Sequence, residues 1–456
     1  MLVINPATED VLAEIQIDDA DLLSKKMQLL RMAQPSWARQ TLQHRIGVIA
    51  KFRALLEQEI DSLSRVLSIE VGKPIRQSRN EIRGACGRIT WLLDHVEQYL
   101  ADETMTQNDG LTEIISYEPL GVIGNISAWN YPYLVGVNVI VPALLAGNCV
   151  LYKPSEYATL TGSAIERLLK AAGVPDSVFQ LAIGGKTTGE LLLDLPLDGY
   201  FFTGSYHTGK HIQARVAPKM VPCQLELGGK DPLYVADDVV DINAVAAATA
   251  DGAFYNNGQS CCAVERIYVH QSVYDAYIAA FVAEVQSWQL GSPLDEATYL
   301  GAMTRKDQIA VLEHQVADAL AKGATLLHGG TALSDRKGYY FAPTVLGNVT
   351  QDMAVMREES FGPIIGIMRV ADDQEAQRLM ADTEYGLTAA VYSSDPDRAQ
   401  AILRNLDVGT GYWNCCDRVS AALPWSGRKH SGIGATLSHQ GLRAFTRPKA
   451  WHWKKP

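Results

Sequence analysis

A chain of 456 residues, 47% of them hydrophobic, exceeds the usual size of one apolar core and is expected to divide into two or three domains. Forty Lys and Arg against 51 Asp and Glu leave a formal charge of -11, which excludes general attraction to nucleic acid or anionic membrane and favours small-molecule chemistry. The longest apolar stretch, Tyr133 to Gly147, contains Asn138 and Pro142 and falls short of the roughly 20 residues of a membrane span. The N-terminus MLVINPATED lacks the basic flank and apolar run of a signal peptide, so the cytoplasm is the expected location.

From Asp19 to about Leu100 the pattern is helical: Ile46, Ile49, Phe52 and Leu56, then Leu63, Val66 and Leu67, recur at three- and four-residue steps, and Gly72-Lys73-Pro74 stops the second run. From Glu113 short β-rich runs alternate with helical ones. GVIGNISAW precedes a helix over Pro132 to Leu145, CVLYKP precedes Leu160 to Ala172, VFQLAIG precedes Thr187 to Leu195, and GYFFTGS precedes Thr208 to Ala217. Strand then helix, repeated, predicts an α/β fold with a parallel, Rossmann-like sheet that binds ligands beyond the carboxyl ends of its strands. A second α/β stretch runs from about Asp241 to Asp417, with helices over Ala244 to Asn256, Val273 to Trp288 and Gln308 to Ala321, and a strand at ERIYVH. After Phe445 the tail alternates Lys449, Trp451, Trp453; an exposed strand with two tryptophans needs a partner, unless it is a frayed end.

Several turns carry candidate chemistry. GSYHTGKH, Gly204 to His211, fits a P-loop but puts His211 where Mg²⁺ wants Ser or Thr, and LYVAD, Leu233 to Asp237, imitates a Mg²⁺-binding strand. An NTPase is therefore the rival class, although a free helix start behind Gly204 would equally suit the pyrophosphate of another cofactor. In KPSE, Pro154 and Ser155 are explained by a strand end and a helix cap, while Lys153 and Glu156 also suit ribose hydroxyls. In AWNYP, Asn130 is either a turn residue or an amide donor to an oxyanion. In QLELGGKDP, a carboxylate at Glu226 between leucines must be paired or have a raised pKa.

NNGQSCC, Asn256 to Cys262, raises the same choice for sulfur. Seven cysteines with no framework spacing argue for reduced thiols, and neither a disulfide nor a metal site is expected. Cys262, Cys415, Cys416 and the others read as buried packing. Cys261 differs because it follows a glycine turn and is expected to open an element, where amide dipoles favour the thiolate.

WNYP, KPSE, FTGS, LELGGK, NNGQSC, EESFGP and PWSGRKHSG, in this order over nearly the whole chain, resemble the NAD(P)-dependent aldehyde dehydrogenase superfamily. The resemblance implies that Cys261 attacks the aldehyde, that Asn130 and the Cys261 N–H hold the oxyanion, and that Glu226 is the general base releasing the acid from a thioester, with no metal. It implies an adenosine ribose at Lys153 and Glu156, an adenine and pyrophosphate channel at Gly185, Gly189 and Ser205, and a nicotinamide held by Glu359 and Phe361. Ser127, Trp129, Ser155, Phe202, Gly204 and Leu227 complete the implied cleft. Glu156 would bind a 2′-hydroxyl and repel a 2′-phosphate, favouring NAD, with Lys153 leaving NADP admissible.

The family architecture places a cofactor domain at 1–100 and 120–228 and a catalytic domain at 229–428. An oligomerisation arm at 101–119 and 429–456 implies a homodimer or homotetramer. Val139 and Thr436 stand where many relatives carry a proton-shuttling Lys and Glu. The pocket expected from Tyr131, Asn138, Tyr255, Arg418, Val419 and Trp425 resembles betaine-aldehyde and aminoaldehyde enzymes through its aromatic faces, and succinate-semialdehyde enzymes if Arg418 takes a carboxylate. A silent protein keeping only the dehydrogenase fold is the third class of reading.

Overall fold

The computed structural model describes all 456 residues. The alternation that begins at Gly121 builds a six-stranded sheet in the order Gly432–Ile433, Cys223–Glu226, Gly199–Thr203, Val122–Ile126, Cys149–Lys153, Phe179–Leu181. Its strands run parallel except for Gly432–Ile433, which is antiparallel to Cys223–Glu226. The chain starts in the middle at Val122–Ile126, winds outward on one side, then returns to Gly199–Thr203 on the other. This reversal opens a crevice at the carboxyl ends of the two central strands.

The helical first hundred residues form Ala20–Ala38, Leu42–Gln58, Ile60–Val71 and Ile75–Leu100. The stop at Gly72 is a left-handed cap with φ of 80°, a conformation glycine adopts without steric cost. Their apolar stripes, Leu23 to Val96, share one core of 55 buried residues with the six-stranded sheet, so these helices cover that sheet rather than standing apart.

A second, seven-stranded sheet has the order Thr325–His328, Thr344–Gly347, Ile364–Val370, Val264–His270, Asp231–Val235, Thr388–Tyr392, Thr410–Trp413, parallel save for the first pair. Along Asp231–Val235 the side chains alternate: Leu233 and Val235 enter the core on one face, Tyr234 the core on the other. Burial on both faces explains why these strands read as continuous apolar runs. The tail forms Thr446–Lys454, antiparallel to Leu111–Pro119, which also pairs with Glu103–Gln107. The two tryptophans thus have an intrachain strand partner, and Trp451 donates to Ser116 Oγ at 2.9 Å.

Two expectations are corrected. Gly199–Thr203 and helix Tyr206–Val216 flank the P-loop-like turn, but Leu233–Val235 lies in the other sheet, so the two halves of a nucleotide-triphosphate site never share an edge. Lys210 lies exposed along its helix over the Tyr206 ring, and Asp237 is held by Arg398 at 2.7 Å. Cys261, for its part, opens no helix. It follows the turn Tyr255–Gly258, in which Asn256, Asn257 and Gly258 take φ of 54°, 57° and 68°, and the next element is the strand Val264–His270. Amide dipoles at a helix start therefore play no part at this sulfur.

Candidate active site

Glu226 ends a strand at the crevice, and the chain then turns through Gly228-Gly229. A Cβ on Gly229 would stand 2.8 Å from the Cys261 carbonyl oxygen, and one on Gly228 would overlap the Glu359 carboxylate. Both must be glycine because three segments distant in sequence converge here: the strand of Glu226, the loop of Cys261 and the turn of Glu359.

The Glu226 carboxyl is buried, and burial pushes its pKa up to about 8, partly offset by hydrogen bonds, first from Thr436. Thr436 Oγ1 donates to Oε1 at 3.3 Å, while Oε2 has no partner. Thr436 is also locked to Trp425 by two backbone hydrogen bonds of 2.8 and 2.9 Å. Trp425 in turn packs with Cys262, Leu387 and Leu437, and Cys261 and Val419 lean on this cluster. Position 436, a departure in sequence terms, thus ties the carboxylate to the cysteine wall. Val139 is buried in the core and faces no such partner.

The two adjacent thiols are unequal. Cys261 is partly exposed. Cys262 is buried; its hydrogen bond with Cys261, then burial, pushes its thiol well up, and its Sγ lies 3.0 Å from Asp417 Oδ1. Ser260 Oγ also donates to Asp417 at 3.4 Å, so this carboxyl, raised to about 6 by burial, anchors the back of the loop. Asn130 reaches the front of it, donating from Nδ2 to the Gln259 carbonyl at 3.1 Å. One of the two amide hydrogens is committed there and the other is free for a ligand.

Asn130 is fixed by residues that no local sequence signal singled out. Lys73, legible only as part of a helix stop, is fully buried, donates to the Asn130 carbonyl at 2.7 Å and pairs with Glu81, whose other oxygen accepts from Tyr133 N at 2.8 Å. Asn256 Nδ2 donates to the same Asn130 carbonyl at 3.2 Å and to Gln259 O at 3.1 Å. Lys73 Nζ also stands 3.8 Å from the Tyr131 ring centroid, so the protein's own ammonium covers one aromatic face expected for a cationic substrate. We expect Lys73→Met to lower stability by about 3–5 kcal/mol, because it strands a buried carboxylate, and Lys73→Met/Glu81→Met to recover most of it. Urea unfolding of the three proteins checks this.

The remaining expected residues fall into two groups. Ser127 N donates to Lys153 O at 3.0 Å, joining two strand ends of the crevice. Lys153 is buried, and burial lowers its pKa against the pull of Glu156; Ser155 Oγ donates to Glu156 at 3.3 Å. Cβ atoms on Gly185 and Gly189 would lie 3.7 Å from Glu156 Oε1 and Lys153 Cε, so glycines keep this mouth open. Glu156 and Gly185 line a cleft of about 640 Å³ with Tyr157 and Thr304, roomy enough for an adenosine. Gly204 N donates to Glu226 O at 3.0 Å, Ser205 caps the following helix, and the Leu227 side chain packs against Gly209 of that helix. Phe202 is buried in the sheet core.

At the other end Trp129 meets Phe361 edge to face, ring centroids 5.5 Å apart. Phe361 has φ of 46°, and its N–H donates to Glu265 Oε1 at 3.0 Å; Glu265 is itself paired to buried Lys230 at 2.7 Å. Glu359 accepts from Gly229 N at 3.1 Å and is raised to about 8, by burial first and then by Glu265. These donors and acceptors, strung along one crevice from Glu156 to Glu359, fit an extended dinucleotide. In the substrate group, Tyr131 and Tyr255 are half-buried, Tyr255 accepting from Asn80 at 3.2 Å, and Asn138 accepts from Arg88 at 2.9 Å. Arg418 is exposed and its side chain makes no hydrogen bond or ion pair, although its neighbours Asp417 and Val419 both touch the cluster of Cys262 and Trp425.

A doubly wound sheet whose switch-point crevice runs into a loop with an accessible thiol defines a dinucleotide-dependent oxidoreductase. The aldehyde dehydrogenase family model matches residues 1–451, and the chain belongs to that family, whose members oxidise aldehydes with NAD or NADP. It is 34% identical, over 99% of its length and 95% of the relative's, to the 3,6-anhydro-alpha-L-galactose dehydrogenase of Vibrio sp. (strain EJY3). The NAD(P)+ succinate semialdehyde dehydrogenase Sad of Escherichia coli (strain K12) is 33% identical, covering 97% of this chain and 95% of that one. The chloroplastic betaine aldehyde dehydrogenase of Amaranthus hypochondriacus is 31% identical, covering 99% and 94%. Among solved structures, the aldehyde dehydrogenase KauB from Pseudomonas aeruginosa superposes with a TM-score of 0.97 at 30% identity, covering 100% of this chain and 93% of that one. No helix is long and apolar enough to cross a membrane.

Proposed function

We propose that the protein oxidises an aldehyde to a carboxylic acid through covalent attachment to Cys261. The supporting observation is the Gly228-Gly229 turn, which packs the segment of Glu226 against the backbone of Cys261 and beside Glu359. The Cys261 thiolate adds to the carbonyl carbon, and the thiohemiacetal oxyanion takes the free hydrogen of the Asn130 amide and the Cys261 N–H. A bound nicotinamide would accept the hydride as the thiohemiacetal becomes a thioester. Glu226 then removes a proton from water, whose oxygen adds to the thioester carbon; the acid leaves and the thiolate is restored. The unpaired Oε2 of Glu226 is the atom suited to that water.

Lys153, Ser155 and Glu156 would hold the adenosine ribose, with Gly185, Gly189, Gly204 and Ser205 along the pyrophosphate path and Glu359, Phe361 and Trp129 at the nicotinamide. A carboxylate at Glu156 favours NAD over NADP. The substrate is a betaine aldehyde or aminoaldehyde on one side or succinate semialdehyde on the other, the first and last of which name two of the relatives above, with Tyr131, Asn138, Tyr255, Arg418, Val419 and Trp425 around it. The division into a cofactor domain (1–100, 120–228), a catalytic domain (229–428) and an arm (101–119, 429–456) belongs to the same proposal. So do a homodimer or homotetramer joined through the outer edge of Thr446–Lys454, and a cytoplasmic location.

The test offers NAD and NADP with neutral, cationic and carboxylated aldehydes and compares kcat/KM. We expect NADH formation with at least one aldehyde and a higher kcat/KM with NAD. A protein that binds NAD and reduces none with any aldehyde would be the silent scaffold instead.

A further inference from the structure

Helix Ile75–Leu100 presents Glu81, Gly84 and Arg88 on one face, spaced three and four residues apart. Each meets the helix Pro132–Leu145 in register: Glu81 accepts from Tyr133 N, a Cβ on Gly84 would lie 3.2 Å from Leu134, and Arg88 Nη1 donates to Asn138 Oδ1 at 2.9 Å. The first two contacts lock the helices together and leave the third residue, a long cation, two turns along the same face from Glu81.

Arg88 differs from the two buried lysines of this region in having no ionic partner. Lys73 has Glu81, Lys230 has Glu265, and Asp417 is engaged by Cys262 and Ser260. Arg88 pairs with no carboxylate and makes one hydrogen bond, to a neutral amide, of the five a guanidinium can donate. It is partly exposed, and none of its nitrogens is sealed away from solvent without a partner, so the spare donors face open space. Asn138, which Arg88 holds, stands two turns after Tyr131 on one helix, and residues seven apart share a helix face, which places that space on the same side of the helix as the Tyr131 ring. Burial lowers the guanidinium pKa to about 10, so it remains charged at neutral pH. A charged fork whose free donors face open space suits a carboxylate. A cationic substrate would meet Arg88 in this space and Lys73 on the face of Tyr131.

We propose that Arg88 sets the substrate specificity of this site by receiving a carboxylate at the far end of the aldehyde, so that the enzyme prefers semialdehydes over neutral and cationic aldehydes. The inference rests on Cys261 as the nucleophile.

The experiment measures kcat/KM at saturating NAD for succinate semialdehyde, butanal and 4-aminobutanal in the native enzyme, Arg88→Met, Arg88→Lys and Asn138→Asp. The ratio of semialdehyde to butanal is expected to fall about 100-fold in Arg88→Met, mainly through KM, and less in Arg88→Lys. It should also fall in Asn138→Asp, where a new carboxylate occupies the guanidinium without removing it; this variant serves should Arg88→Met fail to fold. A native ratio near one overturns the proposal. So does an equal loss for all three aldehydes with a shifted pH profile of acylation, which would make Arg88 a partner of the thiolate. Binding of succinate, read as thermal stabilisation, needs no turnover and should vanish in Arg88→Met. A protein that binds succinate through Arg88 yet oxidises nothing would refute the role of Cys261 alone, whereas one that oxidises butanal as well as the semialdehyde would refute the role of Arg88 alone.

Discussion

Cys261→Ser is expected to reduce turnover by about four orders of magnitude or more, whereas Cys262→Ser should stay within about tenfold of the native enzyme. A serine hydroxyl at 261 has no base positioned to ionise it, and its oxygen ester would be a poorer acyl intermediate than a thioester. At 262 the substitution keeps what the side chain does: a hydroxyl can still donate to Asp417 from the position where Sγ stands at 3.0 Å. The two residues are adjacent, so general damage to the loop would harm both variants alike, and an equal loss would remove Cys261 from its role. Mass-spectrometric mapping of alkylation gives an independent reading. Cys223 and Cys415 are also partly exposed, so the informative quantity is protection by aldehyde, expected at Cys261 only.

Much of the fold was legible because it is written in short periods. The strand-helix alternation from Gly121 to Ala217 appears in the structure within about three residues of the expected positions, the helices more closely than the strand ends, since each element's burial is decided by its own pattern. Helix Pro132–Leu145 and strand Cys149–Lys153 stand where the apolar runs placed them. What escaped was set by distant partners. The strand Gly432–Ile433 is two residues long and exists only because Cys223–Glu226 offers it an edge. The hairpin of Leu2–Ile4 with Val11–Glu14 likewise carries too few residues to show a period.

The site divides in the same way. Cys261 and Glu226 stand out locally, one behind a glycine turn and the other between leucines, whereas Asn130 in AWNYP looks like an ordinary turn residue and gains its role only from the resemblance. Lys73 and Arg88 sit in unremarkable strings. Gly72-Lys73-Pro74 looks like a helix stop, and Arg88 is one arginine among several on a long helix, so nothing local distinguishes either cation from the solvated ones. Their meaning arises when helix Ile75–Leu100 packs on Pro132–Leu145, bringing Glu81 to Tyr133 and Arg88 to Asn138. Thr436 shows the converse: judged against the relatives it is a loss, yet in three dimensions it hydrogen-bonds Glu226 and pairs with Trp425.

The Glu226 carboxyl gives the second large effect, and its surroundings set the sign. With its pKa raised to about 8 by burial, the group is mostly protonated at pH 7 and acts as a base only as pH rises through that value. Steady turnover in the native enzyme should therefore climb between about pH 7 and 9, if water attack on the thioester limits the rate. Glu226→Gln should form one equivalent of NADH at close to the native rate, because thiolate attack and hydride departure precede the water step, and then slow by about 10²–10⁴-fold. Glu359 titrates in the same range but lies on the cofactor side, so its influence should appear in KM for NAD and disappear at saturation. Rapid-mixing absorbance at 340 nm, a property of NADH itself, separates the two phases. If the burst were lost along with the steady rate, Glu226 would be acting before the thioester forms, as the base that ionises Cys261, and its role would move from the water step to the attack.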